Sequence, residues 1–362
     1  MSLPAAIRTN LLALTESGMA AFVVPLGWPA FRAQQILRWL YQERVHTFAE
    51  MTNLSQRERA HLTACCTIGR TADVQIFTSQ DGTRKFVLTL ADGNQVECVL
   101  IPDADRLTLC LSTQVGCTLD CGFCLTGTLG LQRNLRPHEI VDQVLLAQDH
   151  LGKGERLTNL VFMGMGEPLA NLDAVADAVV RLTNQTWGLG FSARRITIST
   201  AGLASRIQDV APLKVNLAIS LNATTDELRH QIMPAANRLH SLQALLAACR
   251  AYPLAERDRL TFEYVLLADV NDHADDATRL IKLLRGLRCK VNLIAFNPFP
   301  GSLYRRPSDA AIETFQSTLR KGHVDVYLRR SRGRDVLGAC GQLGRIEGAT
   351  PSVALTQIQS RC

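Results

Sequence analysis

Leu107-Thr-Leu-Cys110-Leu-Ser-Thr-Gln-Val-Gly-Cys117-Thr-Leu-Asp-Cys121-Gly-Phe-Cys124 is the stretch from which the rest of the chain is read. It opens as a short apolar run of strand character and closes on three thiols at C-x3-C-x2-C spacing. Thiolates this close can point inward from one loop and share a metal centre. Iron–sulfur clusters are normally held by four cysteines, so three in one loop suggest a cubane with one iron left open for a ligand. Gly116 and Gly122 are expected to let the loop bend tightly, and Phe123 to shield one side from water. Zinc competes, with Cys110 or His138 as a fourth ligand. Against zinc, four-thiolate sites usually bring a second C-x-x-C pair, and none occurs in this sequence.

Working outward, the run at 107–111 is the first of six. Strand-like segments at 107–111, 160–163, 196–198, 215–221, 260–267 and 291–296 alternate with helix-like ones. The latter fall at 139–150, 172–184, 203–210, 242–252, 275–287 and 309–320. Six βα units in series predict an α/β fold with a parallel sheet arranged as a six-fold partial barrel; a doubly wound sheet is the alternative. In either case ligands bind at the carboxyl ends of the strands. The residues there are unusual: the three cysteines, Gly164-Met-Gly166-Glu167-Pro168, Ser199-Thr200, Ser220-Leu221-Asn222, Asn271 and Asn297-Pro298. One G-x-G alone is weak evidence, whereas six such exits on the rim that carries a thiol loop point to a shared site.

Upstream, residues 1–64 read as a small helical domain. Residues 30–42 place Phe31, Ile36, Trp39 and Leu40 at near-helical spacing behind Pro29, and Ser55 with Glu58 forms an S-x-x-E capping box. Residues 65–104 are β-rich, with Asp92-Gly93 as a hairpin turn. The barrel is assigned to 105–322 and a C-terminal extension to 323–362.

The composition limits the function classes. Of 362 residues, 47% are hydrophobic, enough for a large core, yet no run of 18 apolar residues occurs, so no membrane span is expected. The first 18 residues lack a signal-peptide pattern, which predicts a cytoplasmic protein. Eleven cysteines in that setting argue for metal or redox chemistry at some of them. Cys65, Cys66, Cys98, Cys249, Cys289 and Cys362 have no ligand-like spacing and receive no role. A net charge of +6 permits a nucleic-acid partner, and the arginines cluster at Arg133/Arg136, Arg194/Arg195, Arg305/Arg306 and Arg329/Arg330/Arg332/Arg334.

These features together resemble the radical S-adenosylmethionine (SAM) superfamily, whose signature is C-x3-C-x2-C after the first strand of a six-fold partial barrel. Further motifs are similar to those of the RlmN family of RNA methyltransferases. They are Leu109-Cys-Leu-Ser-Thr-Gln-Val-Gly-Cys117, Gly130-Leu-Gln-Arg-Asn-Leu135, Met163-Gly-Met-Gly-Glu-Pro168, Asn297-Pro-Phe-Pro-Gly301 and Ala339-Cys-Gly-Gln-Leu343. The resemblance runs from about Pro29 to Leu343. It implies a 4Fe-4S cluster on Cys117, Cys121 and Cys124. It also implies SAM, two molecules per turnover, contacted by Gly166, Glu167, Ser199, Ser220, Leu221, Asn222 and Asn297. Asn222 stands where other members carry His, and Thr128-Leu129 where some carry a more polar pair. Cys340 would be the methyl carrier, Cys110 its resolving partner through a transient disulfide, and Glu97 the proton acceptor. The implied reaction methylates carbon 2 of an adenine in 23S rRNA and tRNA, by way of a methyl-cysteine and an RNA–protein cross-link. The implied partners are those RNAs and an electron donor such as flavodoxin or ferredoxin; nothing in the sequence asks for more than a monomer. Two other readings stay open at this point: a Cfr-type enzyme methylating carbon 8, and a non-enzymatic zinc-stabilised RNA-binding protein. Ionisation of Cys340 is favoured by a nearby cation, and Arg332 and Arg334 are close in sequence.

Overall fold

The computed structural model describes residues 8–344 and 356–357. Its centre is one sheet. Three antiparallel strands come first, β1 (Val74–Thr78), β2 (Arg84–Thr89) and β3 (Gln95–Asp103). Then follow β4 (Arg106–Cys110), β5 (Asn159–Phe162), β6 (Ile196–Thr200), β7 (Asn216–Ser220), β8 (Leu260–Leu266), β9 (Cys289–Ala295) and β10 (Val326–Arg329). β11 (Thr356–Gln357) pairs with β1. In space the order is β10-β9-β8-β7-β6-β5-β4-β3-β2-β1-β11.

From β4 to β10 each strand pairs in parallel with the next in sequence. A doubly wound sheet reverses its strand order partway, and this one does not, so the partial-barrel reading holds and its alternative fails. Two details differ from expectation. The parallel set has seven strands, because β10 adds one beyond residue 322. It escapes a periodicity search because it is short and only Val326 of its four residues is buried. The segment after β6 is a 3-10 helix, Ala204–Leu213, with Pro212 inside it, rather than an α-helix. The central strand β8 is buried along its whole length, as expected of a strand covered on both faces.

The remaining crossover helices are Pro137–Asp149, Leu172–Thr183, Leu242–Ala251, Ala274–Leu284 and Asp309–Lys321. Upstream, the helices Glu16–Val23, Phe31–Tyr41 and Gln56–Cys65 pack on the same core. The Ser55–Glu58 box forms with both bonds, Glu58 N to Ser55 Oγ at 3.2 Å and Ser55 N to Glu58 Oε2 at 2.6 Å. Phe31 does not anchor the core; it is 55% exposed, with the Arg32 guanidinium over its ring. The anchor is instead Arg181 of the helix Leu172–Thr183, which donates to Leu12 O (2.7 Å) and Tyr41 Oη (2.9 Å) and pairs with Asp177. Arg70 adds a second clasp, held by Asp142 and Asp149 at 2.6 Å each. The β-rich segment 65–104 extends the same sheet, with β3 hydrogen-bonded to β4.

Candidate active site

The thiol loop leaves β4 and runs through a small ribbon in which Gln114–Gly116 pairs with Leu131–Asn134. Gly116 is in the left-handed region (φ +78), where a side chain would strike Gly130 O, so the tight bend is there. Gly122 lies in a second turn, closed by Cys124 N donating to Cys121 O at 3.0 Å. Its missing side chain makes room for the Tyr304 ring, 3.2 Å from where a Cβ would lie. Phe123 is buried with Leu119, and Cys117, Cys121 and Cys124 pack into this second apolar cluster.

Cys121 feels the charge of both Cys117 and Cys124, so the three thiols share one neighbourhood. Burial raises all three, Cys117 to about 12, so they remain protonated until a metal displaces the protons. Leu119 N already donates to Cys117 Sγ at 3.3 Å. Among the described residues no three His, Cys, Asp or Glu side chains converge closely enough for a single metal ion. Three thiols spread round one loop suit separate corners of a multi-iron cluster, and they fit the group the sequence implied. The zinc set is not assembled. Cys110 is placed with Cys98 and Cys340 instead, and the charged surroundings of His138 are Glu139, Arg181, Arg136 and Asp142.

The other strand exits come to the same rim. Gly166 has φ +102, and a Cβ there would lie 2.6 Å from Gln114. That close approach lets Gln114 Oε1 accept from Glu167 N (2.9 Å). The Glu167 carboxylate is buried, accepting from Leu169 N (3.0 Å) and Ala201 N (2.7 Å), and burial raises its pKa. Ser199 and Ser220 bring their hydroxyls within 3.5 Å of each other across β6 and β7. Leu221 is fully buried beside them. Asn222 has φ +58 and its Oδ1 accepts from Val265 N at 2.9 Å. Asn271 is scaffolding: its amide oxygen accepts from Leu267 N and both its amide hydrogens are used, on Asn222 O and Val265 O. Asn297, in contrast, is buried with Oδ1 unpartnered among the described residues, which leaves an acceptor free for a ligand.

The carboxyl-terminal loop closes over this rim. Leu125 N donates to Gly341 O (2.8 Å), Asn297 Nδ2 to Cys340 O (3.1 Å), Gln342 Nε2 to Pro298 O (2.7 Å) and Gly344 N to Glu97 Oε2 (3.0 Å). Cys340 thereby lies within charge reach of both Cys110 and Cys124. Its surface is exposed, yet the walls of the cleft surround it and push its thiol well above the usual range. The cation near it is Arg329, not Arg332 or Arg334; Arg332 faces Asp103 and Arg334 lies by Arg306. Sequence proximity misled here, because strand β10 carries Arg329 to the barrel while the loop after it turns away. Cys110 is buried and raised to about 12. Both are free thiols. Glu97, two positions along β3 from the partner of Cys110, is on the same sheet face and forms a buried ion pair with Lys85 at 3.4 Å. Nothing in the sequence singled out Lys85, whose pairing depends on the register of β2 with β3.

Beside this loop is a cavity of about 490 Å³ lined by Ser79, Asp81, Pro298, Arg334, Asp335 and Gln342, among others. No helix among the described residues is long and apolar enough to cross a membrane.

Comparison with known proteins agrees with this geometry. Residues 9–68 match the model of the ribosomal RNA large subunit methyltransferase N-terminal domain, and residues 111–281 match that of the radical SAM superfamily. The dual-specificity RNA methyltransferase RlmN of Syntrophobacter fumaroxidans is 48% identical over 89% of this chain and 94% of its own length. The enzyme of that name from Geobacter sulfurreducens is 47% identical over 97% of this chain and 96% of its own. A crystal structure of a radical SAM methyltransferase from Sphaerobacter thermophilus superposes with a TM-score of 0.87 at 41% identity, covering 92% of this chain and 98% of that one.

Proposed function

This chain belongs to the RlmN family of radical SAM RNA methyltransferases, and from that premise we propose that it methylates carbon 2 of an adenine in 23S rRNA and in tRNA. Carbon 2 lies between two ring nitrogens and is too electron-poor to attack a sulfonium methyl as an ordinary nucleophile. A thiol that first carries the methyl group, and then presents its carbon as a radical, removes that difficulty. When bound, a 4Fe-4S cluster and SAM, two molecules per turnover, supply the methyl group and the radical chemistry.

The chain's own residues then have these roles. Cys117, Cys121 and Cys124 hold the cluster. Gly166, Glu167, Ser199, Ser220, Leu221, Asn222 and Asn297 form the cofactor cradle, with the free Oδ1 of Asn297 and the buried Glu167 carboxylate as its polar anchors. Cys340 carries the methyl. Once the carbon–carbon bond to the base has formed, the radical adduct would give up one electron, for which the bound cluster would be the acceptor, and Glu97 takes the proton from carbon 2, restoring the aromatic ring. Cys110, as thiolate, attacks the Cys340 sulfur, the sulfur–carbon bond breaks with its electron pair moving to the methylene carbon, which takes up a proton to become the methyl group, and a disulfide is left for an external dithiol to reduce. Lys85 pairs with the buried Glu97 and offsets its charge where water is excluded. The arginine clusters and the helical unit at 1–64 contact RNA, whose target base must leave its stack to enter the rim. A flavodoxin or ferredoxin supplies electrons to a monomeric, cytoplasmic enzyme.

The single observation that carries this reading is the tail loop, stitched to the thiol loop, to Asn297 and to Glu97 with Cys340 between Cys110 and Cys124. Its test is the variant Cys110→Ala incubated with an RNA fragment and analysed by mass spectrometry after digestion. An adduct joining Cys340 to carbon 2 is expected. Methylation at carbon 8 would overturn the regiochemistry, and full turnover without an adduct would overturn the two-cysteine route.

A further inference from the structure

Arg229 is completely buried, yet among the described residues it forms no ion pair. It is on the short helix Asp226–Ile232, entered through the Thr225 cap. One terminal nitrogen donates to Ala201 O at 2.5 Å and the other, weakly, to His240 O at 3.4 Å, while Nε has no partner. Asp226, on its own helix, is within charge reach but accepts from Leu242 N at 2.7 Å and forms no ion pair with it, so it offsets the guanidinium only in part. Such a cation is heavily penalised unless an anion offsets it, because two carbonyl dipoles do not replace lost hydration.

Three further observations show where that anion belongs. The end of this helix is bonded to the thiol loop, with Gly122 N donating to Ile232 O (3.0 Å) and Ala235 N to Asp120 Oδ1 (2.8 Å). Ile232 and Met233 pack in the same apolar cluster as Cys117, Cys121 and Cys124. Cys121 is within charge reach of the guanidinium. The fold also reserves space for the guanidinium: Gly202 has φ +114, and a Cβ there would lie 2.7 Å from Nη2. Neutral thiols offset nothing. Three thiolates around a [4Fe–4S]2+ core leave a net negative charge, and reduction adds another.

We propose that Arg229 is the built-in counter-charge of the metal centre, fully compensated when the cluster is bound, and that it raises the cluster's reduction potential. The inference rests on the radical SAM reading. Cluster potentials respond to net charge and to hydrogen bonding around the sulfurs, and a buried cation favours the reduced, more negative state. The same guanidinium holds Ala201 O, while Ala201 N donates to Glu167, so it also fixes the peptide behind the cofactor cradle.

The test compares wild type, Arg229→Lys and Arg229→Met after anaerobic reconstitution, by iron and sulfide content and by redox titration followed by electron paramagnetic resonance without SAM. In Arg229→Met the reduced-to-oxidised ratio at fixed potential is expected to fall at least tenfold, a shift of about 59 mV for a one-electron couple. Arg229→Lys is expected to keep most of the wild-type value. An unchanged potential in a fully loaded Arg229→Met overturns the proposal. So does an equal fall in Arg229→Lys, which would assign the effect to hydrogen-bond geometry rather than charge. So does a shift seen only with SAM present, which would make the cofactor carboxylate the partner. If Arg229→Met does not load, Arg229→Gln, which retains an amide donor, takes its place under the same criteria. A wild type lacking any 4Fe-4S signal would refute the radical SAM reading instead.

Discussion

Cys110 is buried in β4 and raised to about 12, which sets how fast it can act as a nucleophile. At pH 8 a thiol with an ordinary value near 9 is about one-tenth ionised, and one at about 12 is on the order of a thousandfold less so. A more basic thiolate is intrinsically more reactive. With a Brønsted slope of about 0.4–0.5 over three units it recovers roughly 15- to 30-fold. Alkylation of folded Cys110 should therefore run roughly 30- to 70-fold slower than in the unfolded chain, from ionisation alone. Burial can only widen the gap. The assay is timed alkylation with isotope-coded iodoacetamide on the holoenzyme and on urea-unfolded protein, comparing the same Cys110 peptide by mass spectrometry. The folded rate should climb about tenfold per pH unit from 8 to 11. Folded and unfolded rates within about threefold of each other, or a plateau below pH 10, would refute the reasoning. If it holds, resolution by Cys110 requires either a base or a loop movement that admits water, and the first step of turnover cannot be limited by the same thiol.

Gly166→Ala should combine backbone strain at φ +102 with a Cβ 2.6 Å from Gln114, a loss of about 2–5 kcal/mol by urea unfolding together with weakened SAM binding by calorimetry. Arg181→Met leaves Asp177 unpaired and deprives Leu12 O and Tyr41 Oη of their donor. It should lower stability by about 3–5 kcal/mol and increase hydrogen exchange in the first helices before the barrel. Lys85→Met removes the cation beside the buried Glu97; with Cys110 intact, turnover should slow and the covalent adduct should accumulate, by mass spectrometry, while iron content stays normal. RNA affinity should fall steeply as salt rises from about 50 to 200 mM, and a flat response would argue against phosphate contacts by the arginine clusters.

The local features were legible because short-range chemistry fixes them. Serine and glutamate three residues apart cap a helix wherever they occur, and the hydrophobic runs marked six strands of the parallel set to within a few residues. The spacing of Cys117, Cys121 and Cys124 announced a thiol centre, and the motif likeness extended from there to Gly166, Glu167 and Asn297. Where a local rule failed, a tertiary contact had displaced it. Asn271 reads as a polar group offered to the rim until its amide is found holding three backbone groups.

The sequence by itself determined an alternating α/β chain with a thiol loop after its first barrel strand, because periodicity and ligand spacing are properties of neighbouring residues. Only the tertiary structure decided that Cys340 lies within charge reach of Cys110, that Lys85 pairs with Glu97, and that Arg229 is buried with no ion pair among the described residues. Charge burial depends on which distant segments exclude water from a group, and strand register and loop docking set that long after local preference has been satisfied.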